Sequence, residues 1–202
     1  MQTAHTPKTT HEEAQPHSRT RASKLAGRAL FPAALLCVGL LAAACSGGGT
    51  PTPSSSANTD ITHGLSAESA GQTQQAINDF NSAAKANPAN PIPYYDLGVI
   101  YQQYVKNLTQ SANEYNKAIL ASPSYKPALY NLAIVETASN PQGAISLYQQ
   151  LLKLNPNDPN VLFNLGLLLH QQGQTAQGQT DVEKAVLINP ALKSRVPAGI
   201  TP

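Results

Sequence analysis

The side chains with the most distinctive chemistry in this sequence are the thiols of its two cysteines, Cys37 and Cys45. Both lie near the amino terminus, so they offer no disulfide framework to the rest of the chain. Cys45 follows three alanines and precedes Ser46 and three glycines, at the point where an apolar run gives way to a Gly- and Ser-rich stretch. The chemistry open to its thiol therefore depends on what these two flanks are.

The histidines are the other candidates for chemistry, as metal ligands or as acid–base groups. His5, His11 and His17 lie in a polar stretch with no apolar period that could fix their geometry, so we interpret them as incidental. His63 and His170 are far apart in the chain. We found no His-Glu-x-x-His, Gly-x-Ser-x-Gly, phosphate-binding or dinucleotide motif. The sequence predicts no enzyme, no metal and no cofactor.

Residues 1–44 have the layout of a secretory signal peptide. They carry five Lys and Arg against Glu12 and Glu13, whereas the chain from Cys45 onward has eight basic and nine acidic residues, a net charge of −1. Residues 29–44 form an uncharged run of 16 that follows the basic stretch. This run is short of the ~20 residues that a spanning helix needs. A basic region, an apolar run and then small residues are typical of a signal peptide.

The end of that run, Leu41-Ala42-Ala43-Ala44-Cys45, resembles the lipobox of bacterial lipoproteins. The resemblance implies that Cys45 is lipidated and becomes the mature amino terminus, in spite of Ala42 where the family usually has Leu. The alternative is an ordinary signal peptide that is cut after Ala-x-Ala, with Cys45 incidental. Residues 45–58 then read as a flexible linker, because Gly, Ser, Thr and Pro dominate them. We therefore expect an extracytoplasmic protein, lipid-anchored to a bacterial membrane.

The remainder of the chain, residues 59–190, repeats itself with a period close to 34. Its clearest marker is a proline after each apolar helical pattern, at Pro88, Pro123, Pro156 and Pro190, which are 35, 33 and 34 residues apart. Proline lacks a backbone N–H and clashes with the preceding turn, so each of these positions predicts a helix end. A period of ~34 residues with two helices per unit is typical of a helical solenoid.

Each unit also repeats its residue types. A large residue, a Leu three positions later and a small residue recur in the predicted first helices, whose small residues are Gly98, Ala133 and Gly166. An apolar or aromatic residue recurs in the second helices, at Phe80, Tyr115, Tyr148 and Val182. The small residues lie on one helical face, where the second helix of the same unit is expected to cross closely.

With these residues and this period, the chain resembles the tetratricopeptide-repeat family over about two thirds of its length. The resemblance implies an all-α solenoid of about four helical hairpins, with units at about 59–90, 91–125, 126–158 and 159–192 and a tail at 191–202. Asp60 and His63 in the first unit suggest a frayed or shifted first helix. Ser139-Asn140-Pro141 in the third unit predicts an early helix end. No amphipathic helix follows Pro190, so we expect an uncapped last repeat.

In this family the first helices line a concave groove that often holds an extended peptide. Carried over by register, the implied groove positions are Tyr95, Asp96, Val99, Gln102, Tyr130, Asn131, Ile134, Phe163, Asn164, Leu167, His170 and Gln171. Asn131 and Asn164 suit a peptide backbone, because an amide both donates and accepts; alternatively, they reflect only the repeat consensus. These positions include no Lys or Arg, so the groove should prefer apolar or neutral polar segments to an anionic tail. Acids such as Asp79, Asp96 and Asp181 are expected at solvated helix positions.

The most favoured function from sequence is a membrane-tethered scaffold that binds an extracytoplasmic protein or peptide, with assistance in envelope assembly as one version. A near-neutral domain without a basic cluster is a poor nucleic-acid binder, since phosphate neutralisation dominates that affinity. The alternative is a structural lipoprotein that self-associates through its uncapped last repeat.

Overall fold

A computed structural model describes residues 53–200, and these residues are all-helical without a strand. Eight α-helices follow one another: α1 Pro53–Ser69, α2 Thr73–Ala86, α3 Pro91–Gln103, α4 Leu108–Ala121, α5 Lys126–Glu136, α6 Pro141–Leu154, α7 Pro159–Gln171 and α8 Thr175–Ile188. A short 3₁₀ helix, Pro190–Arg195, comes last. The helices pack as four consecutive hairpins, which confirms the predicted all-α solenoid of about four repeats.

The predicted helix ends agree with the structure. The second helices α2, α4, α6 and α8 end at Ala86, Ala121, Leu154 and Ile188, two residues before each marker proline. Helices α3 and α7, which follow two of these ends, begin with polar side-chain caps, whereas α5 has none. For example, the Asp158 carboxylate accepts from the backbone N–H of Asn160 and Val161 at 3.1 and 3.2 Å. Such caps satisfy donors that the first turn of a helix leaves unpaired.

The small residues of the first helices lie where the two helices of a hairpin cross, as predicted. A Cβ atom added at Gly166 would lie 2.7 Å from the backbone oxygen of Gly178 and 2.8 Å from a Val182 methyl. The first unit has an equivalent position that the sequence analysis missed. A Cβ at Gly64 would lie 2.7 Å from the Phe80 ring.

Helix α1 begins earlier than predicted and is fully formed. It starts at Pro53, so residues 53–58, which were assigned to the flexible linker, are helical and that part of the assignment is wrong. Ala57 is 1% exposed, and Ile61 packs against the core around Phe80. Apolar contact with α2 therefore orders a stretch whose composition suggested a linker. His63 is exposed.

The third unit has the short first helix that its sequence predicts. Helix α5 has 11 residues, whereas α3 and α7 each have 13. Asn140 then caps α6 by accepting from the backbone N–H of Gly143 at 3.1 Å. Gly143 itself lies in the first turn of α6. A side chain there would meet Glu136 Oε2 at 2.5 Å, so the site is crowded.

The last repeat is covered, contrary to the expectation of an uncapped end. Residues 190–200, called here the C-terminal segment, fold back onto α7 and α8. Leu192 is 3% exposed and Ile200 is 9% exposed, and both join a core cluster with Leu162 and Val182. Two apolar side chains thus close the solenoid without an amphipathic helix. The structural premise of the self-associating alternative is therefore wrong.

Several predictions fall on residues outside the described range. These are the signal peptide at 1–44, the lipidation of Cys45 and the linker up to residue 52. Between residues 53 and 200, no helix is both long enough and apolar enough to cross a membrane.

Candidate binding wall of the first helices

The first helices of units two to four carry a recurring pair of side chains, which we call the Tyr–Asn ladder. The Asn131 amide, on α5, donates to the Tyr95 hydroxyl on α3 at 3.5 Å. The Asn164 amide, on α7, donates to the Tyr130 hydroxyl on α5 at 2.8 Å. In each rung the asparagine of one unit reaches the tyrosine of the unit before it. The ladder therefore joins three successive helices α3, α5 and α7, which form what we call the wall.

Aromatic side chains from three elements surround the first rung. The Tyr95 ring lies 5.9 Å from the Tyr115 ring and 5.7 Å from the Tyr125 ring, the latter in an edge-to-face arrangement. The Tyr115 hydroxyl donates to Gln102 Oε1 at 2.7 Å and accepts from the Asn131 amide at 3.3 Å. The ring contacts and these hydrogen bonds hold the side chains in defined positions.

The rung that would join units one and two is missing. Asp96 stands at the ladder position of Asn131 and Asn164, and the residue in register with Tyr95 in unit one is Ile61, which has no hydroxyl. The Oδ2 atom of Asp96 is buried and has no hydrogen-bond partner within residues 53–200. An ionised carboxylate could not donate to a tyrosine in any case. The expectation that Asp96 occupies a solvated position is therefore wrong.

The surroundings of Asp96 disfavour its negative charge. Burial first, and the nearby Glu68 second, raise the pKa of Asp96 to about 7. Burial and the Asp96 charge raise the pKa of Tyr125 to about 12, and the pKa of Tyr95 is raised for the same two reasons. The phenols of Tyr95 and Tyr125 therefore stay protonated and neutral at neutral pH.

Several other predicted groove positions lie on the same helices and differ in accessibility. Gln102 is half-buried through its bond to Tyr115, and Val99 packs partly buried against the Tyr115 cluster. Ile134 is 38% exposed. On α7, Leu167 and His170 are half-buried, whereas Gln171 is exposed. The accessible surface is thus mixed apolar and polar.

Phe163 does not line an open groove. It is 2% exposed, and the guanidinium of Arg195 in the C-terminal segment lies 5.3 Å from its ring centroid. This distance suits a cation–π contact. The segment that covers the last repeat therefore also covers the predicted aromatic anchor of unit four. Asn131 is likewise nearly buried, at 8% exposed, because its amide serves two tyrosines.

Two further acids are buried, and for one of them, Asp181, the expectation of a solvated position is wrong. Asp181 is 9% exposed and accepts from the Gln177 amide at 3.1 Å, and burial raises its pKa. Glu114, on α4, is 4% exposed and pairs with Lys117 at 2.9 Å. Both partners are neighbours on the same helix, so the helix period places them within reach. Lys117 therefore belongs to a partly buried ion pair.

No group of three His, Cys, Asp or Glu within the described range is placed to hold a metal ion. The sequence analysis missed Tyr115, Tyr125 and Glu68 as members of the site. Tyr115 was assigned to packing between units, and its polar contacts depend on Gln102 and Asn131, which register alone does not pair. The concentration of all eight tyrosines between Tyr94 and Tyr148 was the signal that could have found them.

Comparison with known families places repeats over most of the described helices. A family model described as tetratricopeptide repeat matches residues 61–127, and a second one matches residues 159–192. A model described as TPR repeat matches residues 142–173.

Among curated proteins, the chain is 31% identical over 138 residues to the probable UDP-N-acetylglucosamine–peptide N-acetylglucosaminyltransferase SPINDLY of Hordeum vulgare. That match covers 64% of this chain and 14% of the barley protein. The chain is also 33% identical over 95 residues to the photosystem I assembly protein Ycf3 of Cyanophora paradoxa, covering 46% of this chain and 55% of Ycf3. The chain thus spans only part of the length of these relatives, and the activities in their names are properties of those proteins.

Solved structures share the fold. The MamA protein superimposes with a TM-score of 0.61 at 21% identity, covering 67% of this chain and 74% of MamA. The first TPR domain of Spaghetti (RPAP3), bound to an HSP90 peptide, gives a TM-score of 0.56 at 21% identity, covering 62% of this chain and 99% of that chain. YrrB, described as having an unusual peptide-binding site, gives 0.59 at 16% identity, covering 69% and 74%.

Proposed function

This chain is a tetratricopeptide-repeat protein, with repeats matched in residues 61–127 and 142–192, and from that premise we propose that it holds an extended segment of another protein along its wall. The observation that carries the proposal is the Tyr–Asn ladder. It runs along α3, α5 and α7 and fixes the half-buried phenols of Tyr95 and Tyr130 at one repeat's spacing, beside accessible side chains such as Ile134. An extended peptide offers backbone N–H and C=O groups that such side chains can bind.

Two structural relatives support a peptide as the ligand class. One is described as bound to an HSP90 peptide and the other as a protein with an unusual peptide-binding site. The HSP90 peptide, SRMEEVD, is acidic toward its carboxyl end. The wall described here has Asp96 among its polar side chains and no Lys or Arg among the twelve predicted groove positions. The proposed segment is therefore mostly apolar or neutral, unlike that acidic peptide.

The finer part of the proposal is the location. Cys45, at the end of a signal-peptide-like leader, would carry the lipid that tethers the repeat domain to a bacterial membrane. Two acyl chains give durable anchoring where a single chain does not. The partner would then be an extracytoplasmic protein, and assistance in the assembly of an envelope complex is one version of the role. Retention of Cys45→Ala in the membrane fraction, fully processed, would contradict the tether.

The binding test uses a partner captured by crosslinking in intact cells and then titrated against the full chain. Tyr95→Ala and Ile134→Ala should each weaken binding by about fivefold or more if these side chains are anchors. Gln149→Ala, an exposed change on the second helix α6, should bind like the parent. Lys117→Ala is unsuitable as a control, since it would leave Glu114 buried without its cation. If both wall variants bind like the parent, the wall is not the binding surface.

A further inference from the structure

The positive charges of the described residues lie almost entirely at one edge of the solenoid, which we call the proline edge. It consists of the last five residues of each second helix and the turn that follows, up to the first residue of the next helix or the end of the 3₁₀ helix, at 82–91, 117–126, 150–159 and 184–195. These ranges contain seven Lys and Arg and one acid, Asp158, a net charge of +6. The rest of residues 53–200 contains one Lys and eight acids, a net charge of −7. A domain that is nearly neutral in total is therefore strongly polarised.

The expectation of a domain without a basic cluster is thus wrong for the folded chain. No short stretch of the sequence is basic, because each unit contributes only one to three of the cations, which are Lys85, Lys117, Lys126, Lys153, Lys184, Lys193 and Arg195. All seven are exposed. Two hydrogen bonds show how the units bring them together. The Gln150 amide donates to the Pro123 carbonyl and Lys184 Nζ donates to the Pro156 carbonyl, each at 3.1 Å, so the end of a second helix lies beside the turn that precedes its unit.

Part of this positive charge is offset by acids that lie just outside the edge. Lys117 pairs with Glu114 at 2.9 Å, and the charge of Lys184 acts on the carboxyl of Asp181. The other five cations are exposed and keep their charge, including Arg195, whose contact is with a neutral ring. The edge is therefore a positive surface toward any outside partner.

Large apolar side chains lie among these charges. Leu120 on α4 and Leu187 on α8 are each the second-to-last residue of their helix, and both are 82% exposed, more than any other large apolar side chain described. Leu154 and Ile188 are exposed as well. A shallow pocket of about 450 Å³ opens beside Leu120, between α4 and the turn at Pro88. Several open apolar side chains on one edge point to a surface that removes them from water.

This combination favours an anionic lipid surface as the partner. Each Lys or Arg near such a surface strengthens binding about fivefold, and leucine side chains enter the boundary between headgroups and acyl chains. A nucleic acid would use the same cations for its phosphates, but it stacks its bases on aromatic side chains and has no use for exposed leucines.

The position at which the chain enters the domain agrees with this choice. Helix α1 begins at Pro53, at the open end of the first hairpin, and α2 ends on the proline edge at that same end. Cys45 precedes Pro53 by eight residues, which span at most about 29 Å when fully extended. A lipid on Cys45 would hold the proline edge within that reach of the membrane.

We propose that the proline edge rests on an anionic membrane surface, with its lysines at the phosphate headgroups and with Leu120 and Leu187 at the boundary with the acyl chains. This inference rests on the proposed tether and adds an orientation to it. Because the tether keeps the local concentration high, a weak surface contact is sufficient. Ile134 lies in the last turn of α5, at the opposite end of the hairpin, so the wall remains accessible to a peptide.

The test is acylation of lysine side chains in the full chain, purified from cells and read out by mass spectrometry. The chain is bound to vesicles of phosphatidylcholine with phosphatidylglycerol, and only the sedimented protein is analysed. Lys106, in the α3–α4 turn, is the internal control, since it is the one cation of residues 53–200 outside the edge. Acylation of Lys85, Lys126 and Lys153 should slow by about fivefold or more on these vesicles, whereas Lys106 should react as in solution. Vesicles of phosphatidylcholine alone should give no such protection.

Matched variants test the contribution of charge. Lys85→Gln combined with Lys153→Gln removes two cations and should weaken docking about 20-fold, read out as loss of protection at Lys126. Lys106→Gln removes the same charge outside the edge and should leave the protection of Lys126 unchanged. The three substituted residues are exposed, and thermal melts establish that each variant is folded.

A second pair of variants tests the leucines. Leu120→Ser combined with Leu187→Ser should weaken docking about tenfold, because both side chains would no longer leave water on the membrane. Leu108→Ser changes a leucine that is 53% exposed at the start of α4, away from the edge, and should dock like the parent.

The outcomes separate this inference from the proposed function. Equal acylation of Lys106 and the edge lysines in vesicle-bound protein overturns the docking and leaves both the tether and the peptide-binding wall in place. Protection of the edge lysines by duplex DNA as strong as that by the vesicles, and insensitive to the leucine variants, overturns the lipid surface in favour of a nucleic acid. If the full chain sediments with neither kind of vesicle, the tether itself is contradicted, and the docking falls with it.

Discussion

The junction of the first and second units and the fourth unit share the same helical-hairpin backbone, but they differ in whether their side chains find partners. In the fourth unit these side chains have partners. Asn164 donates a hydrogen bond to Tyr130, and Arg195 and Leu192 of the C-terminal segment cover Phe163. At the first junction Asp96 stands in the ladder with no partner hydroxyl. The two regions share their helix crossing and differ at a few side chains. In this solenoid the repeat sets the packing, and the two regions differ where residues depart from the repeat.

The largest difference between the two regions is expected at the helix crossings. Gly166→Leu should lower the free energy of unfolding by about 3 kcal/mol, because its Cβ would meet the backbone oxygen of Gly178, which cannot move aside. Gly64→Ala should cost less, since the Phe80 ring that it meets is a side chain and can shift. Chemical denaturation of both variants, with Gln149→Leu as an exposed control, measures this. Equal stability of Gly166→Leu and the parent would contradict the described crossing.

The next largest effect is expected where the C-terminal segment covers the fourth unit. Leu192→Ala should cost about 2 kcal/mol, at the low end for a buried leucine because a segment near the chain end can settle into the space. The same variant should also make Phe163 more accessible. A thermal melt reports the stability, and solvent protection of α7 amides reports the accessibility. Leu187→Ala, at 82% exposed on α8, is the matched control and should change neither.

The charge at the first junction should make this region respond to pH. Because the folded pKa of Asp96 is raised to about 7 from 3.8, the folded state binds the proton more tightly than the unfolded one. Its contribution to the free energy of unfolding therefore falls as pH rises from about 4 to 7. Asp96→Asn removes this loss and should stabilise the protein by about 1.5 kcal/mol at pH 8, with little change at pH 4.

Denaturant unfolding of Asp96→Asn and the parent at the two pH values measures the effect. Glu183→Gln, an exposed acid on α8, should show no such pH-dependent gain. A gain of the same size at pH 4 and pH 8 would mean that the charge of Asp96 is not its source.

The smallest expected effect tests the ladder itself. Asn164→Ala removes a 2.8 Å bond to a half-buried phenol and should cost about 1 kcal/mol. A double-mutant cycle with Tyr130→Phe should show that most of this cost is shared between the two side chains. If the effects of the two changes are additive, the hydrogen bond between Asn164 and Tyr130 does not contribute to stability.

The repeat could be predicted from sequence because its signals are local. Proline spacing, a small residue on each first helix and a large one on each second helix are set by helix ends and crossings, which depend on neighbours in the chain. The short first helix of the third unit, α5, could be predicted from Asn140-Pro141 for the same reason. Glycine at residue 64 was missed because Asp60 and His63 hide the pattern, although Gly64 lies 34 residues before Gly98.

The candidate site was harder to predict, because its features depend on contacts between units. Nothing local distinguishes Asp96 from a solvated helix acid. Its pKa is raised by burial and by the charge of Glu68 on α1, and its own charge acts on tyrosines of α3, α4 and the turn before α5. The covering of Phe163 depends on two apolar residues, Leu192 and Ile200, that are too few to form a helical pattern. The early start of α1 was missed because composition suggested a linker where a packing partner was present.

The C-terminal segment sets a rule for changing the number of repeats in this protein. Leu192 and Ile200 fit the exposed end of one hairpin, α7 with α8, and each inner hairpin presents its own end to the next unit. A duplicated unit inserted between Leu154 and Pro159 would leave the segment and its hairpin together. A unit added after Ile188 would move the segment away from α7 and α8, and its two apolar side chains would lose their packing partners there. Internal duplication therefore preserves the covering of the last hairpin, whereas a unit added after Ile188 separates the C-terminal segment from α7 and α8.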